Sequence, residues 1–253
     1  MKRLVSLENK LARFLSELKV PKLFYYDSVS STMDEAFSLP RDTVENRTLV
    51  LSDVQTSGRG RYGRTWYTDI DDLCFSVILT RFDLDVPYSM VASRAVYDSF
   101  RKYTDGVRLK WINDVCWENG KKIAGVLTEE KEGRMVIGMG VNLNTPKFPE
   151  ELEHIATSYF IEASRRIEKD VFLRNILQRF FYLLGCVEQG SLERILREWE
   201  RDSGVVNKKV RAETEKGVLY GVITGINKKN GALQIKSGGK HLELYDGTVY
   251  YRV

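Results

Sequence analysis

The spacing of apolar residues changes period several times along the chain. Leu4, Leu7, Leu11, Phe14, Leu15 and Leu18 recur at helical spacing and stop at Pro21, which predicts an amphipathic helix over residues 1–20. Residues 49–54 and 73–79 are short, mostly apolar runs of the kind that form buried strands, and a helical stretch over 91–103 follows the second. Three β-rich pieces come next, 107–111, 123–128 and 135–143, separated by the turn signals Asn119-Gly120 and Glu132-Gly133. Phe172, Ile176, Phe180, Leu183, Leu184 and Val187 mark a helix over 170–187, and Ser191 reads as the N-cap of another that ends before Gly204. Beyond Gly204, short alternating strands are punctuated by Asn230-Gly231, Gly238-Gly239 and Asp246-Gly247. The pattern predicts an α+β fold: a mixed, largely antiparallel sheet flanked by helices in residues 1–204, and a small β-barrel in residues 205–253.

Composition sets limits on what such a fold can do. At 253 residues and 43% hydrophobic, the chain can bury one substantial core with a small appended domain. The 39 basic residues are interleaved with 35 acidic ones, for a net charge of +4, a balance that suits small anionic ligands better than a long nucleic-acid track. Cys74, Cys116 and Cys186 are odd in number, far apart and set among apolar neighbours. They read as reduced core residues of a cytoplasmic protein, and with His154 and His241 they form no zinc pattern. No apolar run reaches the roughly 20 residues needed to span a bilayer, so no membrane association is expected.

The candidate chemistry lies in two places. Residues 58–66 read Gly58-Arg59-Gly60-Arg61-Tyr62-Gly63-Arg64-Thr65-Trp66: glycines that let backbone N–H groups approach an anion, three guanidinium forks and an indole able to stack on a base. The spacing fits the Gly-x-Gly-x-x-Gly of dinucleotide folds and kinase loops, and nearly fits a P-loop. Those helix-led folds require a helix to start at the loop, whereas this chain runs through Asp69, Asp71 and Asp72 into another strand. The kinase reading fails for want of its histidine and Asp-Phe-Gly segments. The second cluster is Lys110-Trp111-Ile112-Asn113-Asp114, followed across a hairpin by Lys121-Lys122-Ile123-Ala124-Gly125, which brings two cationic sites and a carboxylate onto adjacent strands. Asp114 is the candidate ligand for a magnesium ion accompanying a nucleotide, since hard cations take oxygen ligands.

Together the two clusters resemble the biotin protein ligase family. The match comprises the Gly-Arg-Gly-Arg-x-Gly-Arg loop closed by Trp66, then Lys110 to Asp114 in place of Lys-Trp-Pro-Asn-Asp, then Lys122-Ile123-Ala124-Gly125-Val126-Leu127. Ser31-Thr32, Gln55 and Gly138-Met139-Gly140-Val141-Asn142 also fall in order. The resemblance runs from about residue 24 to the end and implies the sheet shared by class II aminoacyl-tRNA synthetases and biotin ligases, with an SH3-like terminal barrel. It implies a ligase that activates biotin with ATP as biotinyl-AMP, with Mg2+, and transfers the biotinyl group to a lysine of the biotin carboxyl carrier protein of acetyl-CoA carboxylase.

Residue roles follow from the same resemblance. Lys122 and Arg61 are the expected catalytic groups. Ser31, Thr32, Met33, Gln55, Arg59, Gly60, Gly125 and Gly138 join them around biotin. Gly58, Arg59, Arg64, Trp66, Lys110, Asn113, Asp114 and Asn142 join them around ATP, with Trp66 stacked on adenine and residues 58–66 forming a lid. Met33 stands where many relatives carry a polar residue, and Ile112 stands where they carry proline. The thirty residues ahead of Ser31-Thr32 are too few for the winged helix of the family's repressors, so no sequence-specific DNA binding is expected, whereas homodimers through the central sheet are common in such ligases. Two rivals make different demands: lipoate or octanoate ligases of the same fold, which carry other motifs, and a nucleic-acid-binding module built on the loop arginines and the terminal barrel.

Overall fold

A computed structural model describes residues 14–215 and 217–251. Most of the helix expected over residues 1–20 lies outside the described residues; residues 14–17 are helical. The described elements are β1 (Leu23–Val29), α1 (Thr32–Ser38), β2 (Thr48–Gln55), β3 (Gly58–Arg59), β4 (Thr65–Trp66), β5 (Leu73–Leu79), α2 (Tyr88–Phe100), β6 (Val107–Lys110), β7 (Asp114–Trp117), β8 (Lys122–Lys131) and β9 (Arg134–Val141). There follow α3 (Tyr159–Ala163), α4 (Lys169–Glu188), α5 (Leu192–Ser203), β10 (Lys209–Thr214), β11 (Gly217–Ile226), β12 (Leu233–Ser237), β13 (Lys240–Leu244) and β14 (Thr248–Tyr251). The expected helix at 91–103 begins three residues earlier, at Tyr88, directly after Pro87, whose fixed φ suits a helix start. Ser191 does occupy the N-cap of α5, but its side chain makes no capping hydrogen bond.

Seven strands form one sheet in the order β1-β2-β5-β9-β8-β7-β6. β1 runs parallel to β2, and the remaining neighbours are antiparallel. The pleat sends alternate residues to opposite faces. On β5 and β9, Leu73, Phe75, Val77, Leu79, Met135, Ile137, Met139 and Val141 enter the main core beneath α2, α4 and α5. Ile78 and Val136 point the other way, into a smaller cluster with Met33 and Ala36 under α1. The helical layer is tied together by Arg94, 7% exposed, which pairs with Asp98 at 2.8 Å and with Asp202 at 2.8 Å across to α5.

The last strands make a second, antiparallel sheet in the order β13-β12-β11-β10-β14. Each of the three glycine turns expected here carries a glycine in the left-handed region, among them Gly231 at φ 78° and Gly247 at φ 138°. The barrel expected from the sequence is not closed by strand pairing: β13 and β14 are the two edges of the described sheet. Val210, Ala212, Ile223, Leu233 and Val249 from this sheet belong to the same apolar cluster as Leu109 and Trp111. The indole N–H of Trp111 donates to the Gly231 carbonyl at 2.9 Å, so the two sheets are joined by packing and by a buried hydrogen bond. No helix among the described residues is long and apolar enough to cross a membrane.

Candidate active site

The face of the large sheet opposite the long helices is made by taking side chains away. Gly125 of β8 sits directly across from Gly140 of β9, and Gly138 follows two residues earlier on the same face. Trp66 lies flat on this bare patch: a Cβ on Gly140 would come within 2.3 to 2.6 Å of the indole, and one on Gly125 within 3.1 Å of it. The same Cβ on Gly125 would meet the Lys122 ammonium at 2.7 Å. That ammonium is 5.2 Å from the Trp66 ring centroid and 2.6 Å from Asp114 Oδ1. Lys122, Asp114 and Trp66 are therefore one constellation, and the glycines are what allow it to assemble.

Above the patch, residues 58–66 form a tight hairpin. Gly58 pairs with Trp66 and Arg59 with Thr65, and a 3-10 turn over Arg61–Gly63 places Tyr62 at φ 58° and Gly63 at φ 71°. The strand–loop–strand reading is thus met by strand, hairpin, strand. Arg59 secures the root of the hairpin: its guanidinium donates to both Glu129 oxygens at 2.9 and 3.0 Å and reaches Asp34 Oδ1 at 2.8 Å. Burial opposes the Arg59 charge, but these carboxylates outweigh it and hold its pKa above the ordinary arginine value. Arg61 and Arg64 extend from the turn toward the second sheet.

The end of the cleft beside α1 is polar and buried. Ser31 caps α1, its hydroxyl accepting from the Met33 N–H at 3.3 Å, and Arg134 closes the other end of the helix by donating to the Leu39 carbonyl at 2.8 Å. With α1 fixed, the Thr32 N–H donates to Gln55 Oε1 at 2.8 Å and the Thr32 hydroxyl lies 2.9 Å from Ser76 Oγ. Met33, 3% exposed, packs its sulfur over Gly138. Ser76 escaped the sequence reading. Its signal was a single hydroxyl in the apolar run 73–79, in phase with the face that became the site.

Two asparagines hold the far wall. The Asn113 amide donates to the Val126 carbonyl, and the Asn142 amide donates to the Thr157 carbonyl at 3.0 Å. The turn after Asn142 is gathered by Asp72, which accepts from the backbone N–H groups of Leu143, Asn144 and Thr145 at 2.8, 3.1 and 3.2 Å. Burial pushes the Asp72 carboxyl up to about 6, against the pull of those donors and of the Thr145 hydroxyl. Residues 148–156 complete the wall through Phe148, Leu152 and Ile155, a contribution that no motif announced; the Lys122 N–H donates to the Ile155 carbonyl at 2.8 Å.

These residues enclose a cleft of about 630 Å³, within the usual range for small-molecule sites. Every residue expected from the sequence around biotin or ATP borders it except Gly58, whose place is the base of the hairpin against Gln55 and Trp66. Arg59, Arg61, Arg64, Lys110 and Lys122 line it; Arg59, Arg61 and Lys122 are paired with carboxylates, and Arg64 and Lys110 supply the positive surplus that favours an anionic ligand. Among the described residues no group of three or more His, Cys, Asp or Glu could hold a metal ion. Cys116 also lines the cleft, but burial and the Asp114 charge push its thiol up to about 12; it stays neutral, which excludes it as a thiolate nucleophile.

Fold and site together define an α+β protein with a cation-lined cleft that is bordered by a glycine-rich hairpin and has a buried polar cluster at one end. Residues 25–144 match the biotin/lipoate A/B protein ligase family. The chain is 30% identical to the bifunctional ligase/repressor BirA of Bacillus spizizenii, over 84% of this chain and 69% of that protein. It is 36% identical to the biotin–[acetyl-CoA-carboxylase] ligase of Mycobacterium tuberculosis over 44% of each. Its fold is similar to that of the biotin protein ligase from Aquifex aeolicus in complex with biotin and ATP, with a TM-score of 0.82 and 26% identity over 92% of this chain and 99% of that one. The chain belongs to the biotin/lipoate A/B protein ligase family.

Proposed function

We infer that the chain is an ATP-dependent ligase that activates biotin as biotinyl-5′-AMP and transfers the biotinyl group to a lysine of a biotin carboxyl carrier protein. The observation that carries this reading is the cleft itself, which has a buried Thr32–Gln55–Ser76 hydrogen-bond cluster at one end and Arg61, Arg64, Lys110 and Lys122 with the Asp114 carboxylate toward the other. The ureido ring of biotin presents donors and acceptors that need such partners once buried.

In the first step a biotin carboxylate oxygen bonds to the α-phosphorus of ATP while the bond to the departing pyrophosphate breaks. Two anions must meet. At about 4 Å and an effective dielectric near 20 their repulsion is about 4 kcal/mol, on the order of a thousandfold in rate if uncompensated. Lys122 supplies the compensating charge at that point, and Arg61 reaches over it from the lid. Trp66 stacks on adenine, and Asn113 and Asn142 shape the base pocket. Asp114 is the one cleft carboxylate able to hold Mg2+, together with nucleotide phosphates and water; the ion would neutralise phosphate charge there. In the second step the acceptor lysine, as the free amine, attacks the acyl carbon. The C–O bond to AMP breaks, an amide forms and the amine gives up its proton.

Residues 1–204 form the catalytic unit in this reading, and the open five-stranded sheet is an SH3-like terminal domain. Buried, reduced cysteines fit a cytoplasmic location. The test is pyrophosphate release from ATP with biotin or lipoate supplied one at a time. Release with biotin is expected; release with lipoate alone would move the chain to the lipoate branch of the family.

A further inference from the structure

The hairpin over the cleft is held at two ends by two different sheets. Its root is fixed by Arg59 to Glu129 of the large sheet and to Asp34 of α1, which packs on that sheet. Its tip is fixed to the second sheet, at the turn between β13 and β14. There Arg61 forms an ion pair with Asp246 and donates to the Gly247 carbonyl at 3.4 Å, and Arg64 donates to the Thr248 hydroxyl at 3.3 Å. The Arg61 guanidinium also donates to Asn113 Oδ1 at 3.4 Å, so the side chain that grips the terminal turn is the one aimed into the cleft.

The turn is a firm support. Gly247 sits at φ 138°, a Cβ there would strike the Glu213 carbonyl at 2.7 Å, and Val249 of β14 is buried in the common core. Asp246 contacts Arg61 from outside the cleft. Gly247 and Thr248 line the cavity, but Asp246 does not, and its side chain is 59% exposed while that of Arg61 is 21% exposed. Its carboxylate is therefore set behind the cleft wall, on the side of the guanidinium away from a bound anion. It orients the guanidinium without competing for the same position.

We propose that Asp246, assisted by Thr248, is a positioning residue for the lid: it holds Arg61 over the cleft and so retains the acyl-adenylate. The inference rests on the ligase reading for its ligand, but the latch is a property of the free protein and can be tested without ligand. The tip of the hairpin contains tryptic sites after Arg61 and Arg64. Asp246→Asn should speed cleavage there about twofold to fivefold, the range expected for losing a partly exposed ion pair. The same variant should release biotinyl-AMP faster by a similar factor, with biotin affinity unchanged, because the proposed function seats the biotin head on Thr32 and Gln55, away from the hairpin tip. Asp246→Glu should restore both, and 1 M salt should bring the wild type toward the Asn variant through screening. Thr248→Val provides a smaller effect in the same direction if Asp246→Asn does not fold. Tryptic cleavage and adenylate release at wild-type rates in Asp246→Asn, or equal loss of biotin affinity, would overturn the latch. Failure of the wild type to adenylate biotin would instead overturn the ligase reading, and the tryptic result would still decide the latch.

Discussion

The two faces of the seven-stranded sheet are built from the same strands by opposite means. On the helix-covered face Phe75, Val77, Ile137 and Met139 fill space, and each is 2% exposed or less. On the other face their immediate neighbours Ser76, Gly138 and Gly140 leave space, which Thr32, Met33 and Trp66 then share with whatever ligand arrives. Because the pleat has a period of two, one register serves both purposes, and a slip of one residue would exchange core for site. The contrast implies that adjacent residues of a single strand should respond to mutation in different observables.

The largest separation is expected at Phe75. Phe75→Ala should lower unfolding free energy by about 3–5 kcal/mol in urea titrations, through lost burial and a residual cavity, while the folded fraction still binds biotin. Lys122→Ala should do the reverse: its adenylation rate should fall by about a hundredfold to a thousandfold in pyrophosphate-release assays, with the urea midpoint close to wild type. A large stability loss at Lys122, or an active Lys122→Ala enzyme, would blur the division between the faces. Ser76→Ala should weaken biotin binding by about tenfold in calorimetry, because it removes one of the two partners of the Thr32 hydroxyl, and should cost about 1 kcal/mol of stability.

The smallest effect concerns pH. The Asp72 carboxyl titrates near 6 when folded, above the ordinary aspartate value of about 3.9, so the native state holds the proton more tightly than the unfolded chain. Its contribution to stability is therefore full below about pH 4 and is lost as pH rises through about 6. Between pH 5 and 7 the wild type should lose about 1 kcal/mol relative to Asp72→Asn, measured as the difference between their urea titrations at each pH. A difference that grows in favour of the wild type over that range would contradict the assignment.

Much of this arrangement was legible in the sequence because it rests on local signals. The runs at 49–54 and 73–79 emerged as β2 and β5, and Asn119-Gly120 and Glu132-Gly133 emerged as turns with Gly120 and Gly133 at positive φ. The candidate site was legible through glycine: the Gly125 and Gly140 motif positions meet across two strands, with Lys122 and Trp66 lying over them. What stayed hidden depends on distant pairing. Nothing local marks Ser76 as the partner of Thr32, forty-four residues away in the chain. The wall at 148–156 is set by a parallel bridge between Lys122 and Ala156, and the grip of Asp246 on Arg61 spans the two sheets. The terminal strands were visible by alternation, but whether they close was not, since closure depends on how edges meet and not on the strands themselves.

The central claim is that this cleft joins biotin to a protein amine through an adenylate. Its most direct test is mass spectrometry of a biotin carboxyl carrier domain after incubation with the purified chain, ATP and biotin. A single biotinylated lysine is expected, dependent on ATP and lost with Lys122→Ala. An unmodified carrier in the presence of ATP and biotin, or equal labelling by the Lys122→Ala variant, would contradict it.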